Sequence, residues 1–169
     1  TGHLVMSTLH TNDAISTAMR LVDMGVEPYL AASSLRAILA QRLMRKICEQ
    51  CKEEQSLEQL QQEWLFASQL SEEDKSQTFY HGPGCHHCNG TGYRGRIGIY
   101  EFLAIDEAAG HALQENDSDA LAKAAMAQET YRSLPEYAMD LALAGTTSLE
   151  EVFRVTEAVS DARRGRKDG

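Results

Sequence analysis

The sequence predicts an α/β fold, and three observations support this class. Residues 3–9 form a short apolar run with β-branched members, which is typical of a fully buried strand. Residues 97–103 form a second predicted strand. After each predicted strand, apolar residues recur at the spacing of a helix. With 169 residues, 43% of them apolar, the chain has room for one domain with a core, or one domain and a small satellite.

Two helices are predicted between the first strand and residue 47. Asn12 is a suitable N-cap for the first helix, and Gly25 ends it. The apolar face of this helix comprises Ile15, Ala18, Met19 and Val22. Pro28 suits the first turn of the second helix. The apolar face of the second helix comprises Leu35, Ile38, Leu39 and Leu43.

The region after Asp106 is predicted to be helical. Ser118 precedes an alanine-rich helix, Pro135 lies near the start of the next, and Gly145 ends that one. Residues 148–151 match a capping box that opens a last helix. We expect residues 159–169 to be a basic, disordered tail, and the alternative is a weak contact with an acidic partner or a membrane surface. The basic residues of this tail are Arg163, Arg164, Arg166 and Lys167.

Charge and hydropathy exclude some classes of function. The net charge of −9 argues against sequence-independent binding of nucleic acid, which needs a basic surface. No apolar run approaches the roughly 20 residues that span a bilayer, and no signal peptide is evident. The chain opens directly on a predicted core strand, so we expect a fragment of a longer cytosolic protein.

Two C-x-x-C pairs predict a structural zinc site with the ligands Cys48, Cys51, Cys85 and Cys88. Without a secretory signal, such pairs favour a metal over disulfides. Each pair presents two thiolates to one side of the ion, and together they close a tetrahedral shell with no position open for water. The long separation of the pairs indicates a small inserted lobe. Within it, four residues lie at helical spacing: Leu57, Leu60, Trp64 and Ala67.

Two alternatives to this assignment stay open. His81, His86 and His87 lie close to the second pair in sequence and compete as ligands. A thiol redox pair is the other alternative, although a thioredoxin-like motif begins a helix within a βαβ unit, and here turn-forming residues surround the cysteines.

Two histidines, His3 and His10, mark the most chemically suggestive stretch. If residues 3–9 are a parallel strand, His10 emerges at its carboxyl end, just before a helix N-terminus that favours an anion. An Nε2–H donor there could bind a phosphate or position water, and the alternative is a satisfied structural histidine. No G-x-x-x-x-G-K-[ST] loop occurs in the sequence, so a primary phosphate cradle is absent from it.

Residues 1–12 resemble the histidine box of the type II/type IV secretion ATPases, hexameric motors of type II secretion and type IV pilus assembly. Further blocks are similar to this family in the same order, at residues 39–43, 48–51, 84–88, 92–101 and 145–152. The four-cysteine pattern is similar to the secretion and pilus-extension branch of the family.

The resemblance implies the later half of a RecA-like ATPase core with an inserted tetracysteine zinc lobe and a C-terminal helical domain. We expect a partial core with the histidine box and two helices over residues 1–47. The zinc-binding insertion is expected over 48–92, a returning strand of the core over 93–104, and the helical domain over 105–158.

The resemblance also implies roles for individual residues and partners. His10, and also His3, would face the nucleotide near the γ-phosphate, and Arg96, with Arg94 beside it, would contact the nucleotide. From the residues alone, the preferred interpretation of the two arginines is a surface pair flanking a strand. The full-length protein would bind ATP and Mg²⁺ and form a hexamer in the cytoplasm, associated with the inner membrane through a platform protein. The family's phosphate loop and Mg²⁺ ligands would precede Thr1, so we expect the isolated chain to be inactive.

Two other classes of function compete with the motor. A zinc-stabilised protein-interaction module would dock a partner without catalysis, and a phosphate loop in upstream sequence would decide against it. A thiol oxidoreductase would need free thiols, which one bound zinc per chain would exclude. The sequence does not decide whether such a motor would serve type II secretion or type IV pilus assembly.

Overall fold

The computed structural model describes residues 3–55 and 78–164. The helices are α1 (Ala14–Asp23), α2 (Pro28–Ser34), α3 (Glu107–Gln114), α4 (Ser118–Met126), α5 (Leu134–Leu143) and α6 (Leu149–Arg164). The strands are β1 (Ala37–Ile47), β2 (Glu53–Gln55), β3 (Phe79–His81) and β4 (Tyr93–Ala104). β1 pairs with β4, while β2 and β3 form an antiparallel pair with Glu54 opposite Tyr80. This mixture of helices and small sheets confirms the predicted α/β class.

The chain divides into two compact units. The first contains the described residues of Thr1–Gln41, Tyr100–Ser133 and Val159–Gly169. The second contains those of Arg42–Ile99 and Leu134–Ala158. The boundaries of these units differ from those of the predicted segments. β1 and β4 each contribute residues to both units, and the predicted helical domain over 105–158 is divided after Ser133.

The first unit has an apolar core to which α1 contributes its buried face. Asp13 caps this helix, since its Oδ1 accepts the Ser16 N–H at 2.6 Å. Asp106 and Asp117 cap α3 and α4 in the same way. The buried residues of the core are Ala14, Ile15, Ala18, Met19, Ala31, Ile38, Leu103, Ala109, Ala112, Leu113, Leu121 and Ala125.

The second unit combines apolar and polar buried residues. Ser148 begins α6 as predicted, because its Oγ accepts the Glu151 N–H at 3.4 Å. Thr147, Ser148 and Glu151 are all buried beside the apolar residues. The large apolar side chains buried here include Met44, Ile47, Phe79, Ile99, Leu134 and Leu149.

The prediction of a buried strand over residues 3–9 is wrong in this structure. The segment has no regular secondary structure, and Leu4, Val5 and Met6 are 82%, 82% and 90% exposed. A strand needs a hydrogen-bonded neighbour, and the sheets among the described residues pair β1 with β4 and β2 with β3 only.

The second predicted helix is correct only at its beginning. α2 starts at Pro28 as expected, but Leu35 is extended and residues 37–47 form β1. A short apolar run such as residues 38–40 fits the periodicity of a helix or of a strand. Here the segment is a strand because it pairs with β4.

Smaller corrections concern helix ends. The N-cap of α1 is Asp13 rather than Asn12. α6 continues to Arg164, so residues 159–164 of the predicted disordered tail are helical. The predicted apolar face at residues 57–67 lies outside the described residues. None of the described helices combines the length and apolar character needed to cross a bilayer.

Candidate metal centre

The four predicted cysteine ligands come together in the second unit. The Sγ atoms of Cys48 and Cys85 are 3.9 Å apart, as are those of Cys51 and Cys88. All four Sγ atoms lie within 4.8 Å of one another. Tetrahedral thiolates with zinc–sulfur bonds of ~2.3 Å would be roughly 3.8 Å apart. The cysteines are free, so the cluster could hold a metal ion, and its dimensions suit zinc.

Backbone hydrogen bonds hold each C-x-x-C pair as a tight turn. The Cys51 N–H donates to the Cys48 carbonyl at 3.1 Å, and the Cys88 N–H donates to the Cys85 carbonyl at 3.2 Å. The second turn is a single 3₁₀ turn over His86–Cys88, and Asn89 leaves it in the left-handed conformation with φ 54°. The C-x-x-C spacing therefore allows each pair to form a turn that a backbone hydrogen bond between its two cysteines closes.

Glycines allow the backbone to pass close to itself beside the second turn. A Cβ on Gly82 would lie 2.3 Å from the Gly92 carbonyl oxygen, and one on Gly92 would lie 2.0 Å from that of Gly82. No side chain fits at such distances, so glycine is required at both positions. The Gly92 carbonyl in turn accepts the Cys48 N–H at 2.9 Å, which connects the two cysteine pairs.

The thiols differ in their ease of ionisation. Burial opposes ionisation of Cys88, but the N–H groups of Cys85 and Gly92 donate to its Sγ at 3.1 and 3.2 Å and lower its pKa to about 6. Burial raises the pKa of Cys51 to about 12. A bound dication would favour the thiolate at all four positions, because metal ligation requires deprotonation.

A buried carboxylate holds α6 against the strand that leads to Cys48. Glu151 Oε2 accepts the backbone N–H of Arg45 at 2.8 Å, and Glu151 Oε1 accepts from Arg45 Nε at 2.7 Å. Arg154 Nη2 donates to Glu151 Oε2 at 2.8 Å. Burial opposes ionisation of Glu151, but the guanidinium groups of Arg154 and Arg45 outweigh it and hold its pKa below the usual range.

Tyr93 continues this network towards a cavity. Its ring lies 4.0 Å from the Arg45 guanidinium carbon, and its hydroxyl bonds Ser148 and donates to Glu150 at 3.0 Å. Burial raises the pKa of Tyr93 to about 12. A cavity of about 250 Å³ lies beside the ring, lined by Arg45, Thr91, Tyr93, Gly95 and Arg96.

No sequence pattern predicted this network. Arg45 and Glu151 are separated by 106 residues, and no local pattern links them. The available signal was the predicted capping box, whose acidic residue Glu151 binds arginines in the structure.

The predicted nucleotide residues are divided between the two units. His3 and His10 lie in the exposed segment before α1, in the first unit. Arg94 and Arg96 are exposed on β4, in the second unit. Their proposed contacts with nucleotide stay predictions.

The neighbouring histidines do not join the cysteine cluster. His81 Nε2 lies 3.3 Å from Glu53 Oε1. His86 and His87 are exposed, and their rings contact each other with centroids 4.0 Å apart and an interplanar angle of 37°. Among residues 3–55 and 78–164, the only group of metal-ligating side chains close enough to share an ion consists of the four cysteines.

Comparison with known proteins identifies a family that matches nearly the whole chain. The family described as "Type II/IV secretion system protein" matches residues 1–154. "Type II secretion system ATPase E" of Vibrio cholerae is 46% identical over 160 residues, covering 93% of this chain and 30% of the relative. "Type IV pilus assembly ATPase TfpB" of Acinetobacter baylyi is 42% identical over 155 residues, covering 92% of this chain and 26% of the relative. "Type IV pilus assembly ATPase PilB" of Thermus thermophilus is 42% identical over 157 residues, covering 92% of this chain and 17% of the relative. The chain thus spans less than a third of each of these relatives.

Proposed function

Because this chain belongs to the type II/IV secretion system protein family, we propose that it is the C-terminal part of a motor ATPase for type IV pilus assembly or type II protein secretion. The observation that carries the proposal is the match over residues 1–154, together with relatives named as ATPases of both systems. The chain corresponds to at most 30% of the length of these three relatives. In this proposal ATP hydrolysis belongs to the longer protein, whose phosphate loop and Mg²⁺ ligands lie outside this chain.

His10 is proposed to register the γ-phosphate, with His3 as a second candidate. The side chain of His10 is exposed, so a ligand can reach it, and the amino-terminal end of α1 follows four residues later. The positive end of a helix dipole favours an approaching phosphate, which supports this placement.

Arg96 is proposed to contact the nucleotide, with Arg94 as a second candidate. Arg96 is exposed and lines the cavity beside Tyr93. A guanidinium in this position could bind a phosphate with two parallel hydrogen bonds. We therefore expect the nucleotide phosphate to bind at this cavity, and substitution of Arg96 should weaken that binding.

Zinc is proposed as the ion of the cysteine cluster, with a structural role. Four thiolates would fill its coordination shell and leave no position for a reacting water. The support is the arrangement of the Sγ atoms, together with the amide groups that donate to Cys88. Because the two cysteine pairs come from distant parts of the chain, a shared ion would fix both turns at once.

The longer protein is proposed to contain a RecA-like core, of which this chain supplies the later half and residues 48–92 a zinc-stabilised insertion. It would act as a cytoplasmic hexamer on an inner-membrane platform protein. Exposed apolar side chains in the first unit support a larger assembly, since Leu39 and Phe102 are 61% and 41% exposed on paired strands.

The test compares ATP hydrolysis by the full-length protein and by the 169-residue chain. We expect turnover by the first and none by the second, because the second has no phosphate loop. Turnover by the isolated chain would contradict the proposal, and so would a full-length protein that binds but does not hydrolyse ATP.

A second candidate is a zinc-stabilised interaction module without catalysis. The observation that favours it is the close cluster of four cysteines within a compact unit that also buries Leu149 and Val152 of α6. A full-length protein that lacks ATPase activity, yet binds a partner only while zinc is present, would favour this candidate over the motor.

A further inference from the structure

Hydrogen bonds fix the connection between the histidine segment and α1. Residues 3–11 have no regular secondary structure, so the orientation of His10 depends on how the chain enters the helix. That entry is short, because Asp13 is the N-cap and Ala14 the first helical residue. Any group that fixes residues 11–14 therefore limits the positions open to His10.

The Thr17 hydroxyl holds this connection from within α1. It donates to the Asp13 carbonyl at 2.7 Å and bonds the Thr11 hydroxyl. Since the single Thr17 proton goes to Asp13, Thr11 is the donor in the second bond. Thr17 thus ties the residue directly after His10 to the first turn of the helix.

The Glu101 carboxylate holds the same connection from β4. Glu101 is buried, and its Oε1 accepts the N–H of Ala14 at 2.9 Å. A first-turn N–H has no partner within its own helix, so Glu101 satisfies a group that the helix leaves open. The bond joins residues 87 apart in sequence and fixes the position of the helix start within the first unit.

We propose that Thr17 and Glu101 are positioning residues for His10. The inference rests on the proposed function, because it assumes that His10 senses the γ-phosphate. The two residues do not touch the nucleotide. They hold the chain at Thr11 and Ala14, on the helix side of His10, so that the imidazole meets the phosphate in one orientation. A displacement of about 1 Å at a reacting centre can reduce a rate by about 100-fold, so such a restraint has a measurable effect.

The test measures kcat and KM for ATP in the full-length protein. Thr17→Val keeps the shape of the side chain and removes the hydroxyl, and Glu101→Ala removes the acceptor. Each is expected to lower kcat by about 10-fold and to change KM by less than about 3-fold. Thr17→Ser and Glu101→Gln keep a hydroxyl or an acceptor oxygen, and we expect them to retain kcat within about 3-fold.

A double-mutant cycle distinguishes positioning from a general structural role. In the His10→Ala background, Thr17→Val and Glu101→Ala should lower kcat by less than about a further 2-fold, because the group that they position is already gone. Leu121→Ala, in the core of the same unit, is the matched control: it should lower Tm and leave kcat unchanged at temperatures below that Tm.

The outcomes separate the two proposals. If His10→Ala impairs hydrolysis while Thr17→Val does not, the positioning inference is overturned and the sensing role of His10 stands. The positioning inference is also overturned if Thr17→Val and Glu101→Ala lower kcat in the His10→Ala background by the same factor as in the wild type. If His10→Ala leaves hydrolysis normal, both fail. Should Glu101→Ala not fold, Thr17→Val decides alone, because valine preserves the packing of the helix.

Discussion

The first unit buries a cluster of apolar side chains together with the carboxylates of Asp13 and Glu101. The second unit buries two thiols, two hydroxyls and the Glu151 carboxylate beside its apolar residues, and it alone holds the cysteine cluster. Apolar contacts respond little to pH or chelators, because no proton or ion takes part in them. The cysteine cluster with its proposed zinc should respond to both, and the Glu151 carboxylate should respond to pH alone. The two units should therefore differ in their response to a chelator, and this difference can be tested.

Removal of the proposed zinc should have the largest effect, and this effect should be concentrated in the second unit. Structural zinc contributes apparent free energies on the order of 10 kcal/mol in small domains, so Cys85→Ser or a strong chelator should open this unit. Hydrogen exchange of the 169-residue chain would measure it. We expect the amides of Cys48, Cys88 and Gly90 to lose protection, while those of α4 keep most of theirs.

The control for this prediction is His86→Ala, which changes an exposed residue between two proposed ligands. It should retain one zinc per chain by elemental analysis and an unchanged exchange pattern. A Cys85→Ser chain with wild-type zinc content and protection would show that the cluster does not hold the unit together. A uniform loss of protection in both units would remove the contrast between them.

Adjacent carboxylates on α6 allow a sharper test within the second unit. Glu151 is buried and binds two arginines, whereas Glu150 is 69% exposed and lies 3.4 Å from the same Arg45 guanidinium. Glu151→Ala would leave the Arg45 N–H without its acceptor, so it should lower the free energy of unfolding by about 2 kcal/mol. Glu150→Ala should cost less than about 1 kcal/mol, because its ion pair with Arg45 and its hydrogen bond from Tyr93 are both exposed. Urea denaturation would measure both, and equal losses would refute the role of burial.

Mild acid should weaken the same contact. The folded pKa of Glu151 lies below its ordinary value of 4.5, so the folded protein binds its proton less readily than the unfolded chain does. Its stabilisation is therefore complete above pH 4.5 and is lost as the pH falls through the lowered folded value. The difference in free energy of unfolding between wild type and Glu151→Gln should shrink as the pH is lowered from 6 to 3. A constant difference would contradict the ionic origin of the contact.

Local sequence patterns predicted the features whose geometry is set by neighbouring residues. The C-x-x-C turns close within four residues, and the helices that begin near Ser118, Pro135 and Ser148 follow from caps and periodicity. Features that depend on distant partners were not predictable in this way. Residues 3–9 have β propensity, but no strand of the described residues pairs with them. Arg45 meets Glu151, which lies 106 positions later in the sequence.

Removal of the N-cap of α1 should cause the smallest loss of stability. It tests whether the first unit responds independently of the zinc proposed in the second. Asp13 Oδ1 accepts the Ser16 N–H, so Asp13→Ala should lower the free energy of unfolding by about 1 kcal/mol. Asn12, the cap predicted from sequence, lies one residue earlier, and Asn12→Ala should cost less than half as much. Asp13→Asn retains the acceptor oxygen and should stay close to wild type. Because the bond is local to the first unit and the four cysteines all lie in the second, the Asp13→Ala loss should be the same with and without chelator. A loss that appears only after zinc removal would show that the two units do not respond separately.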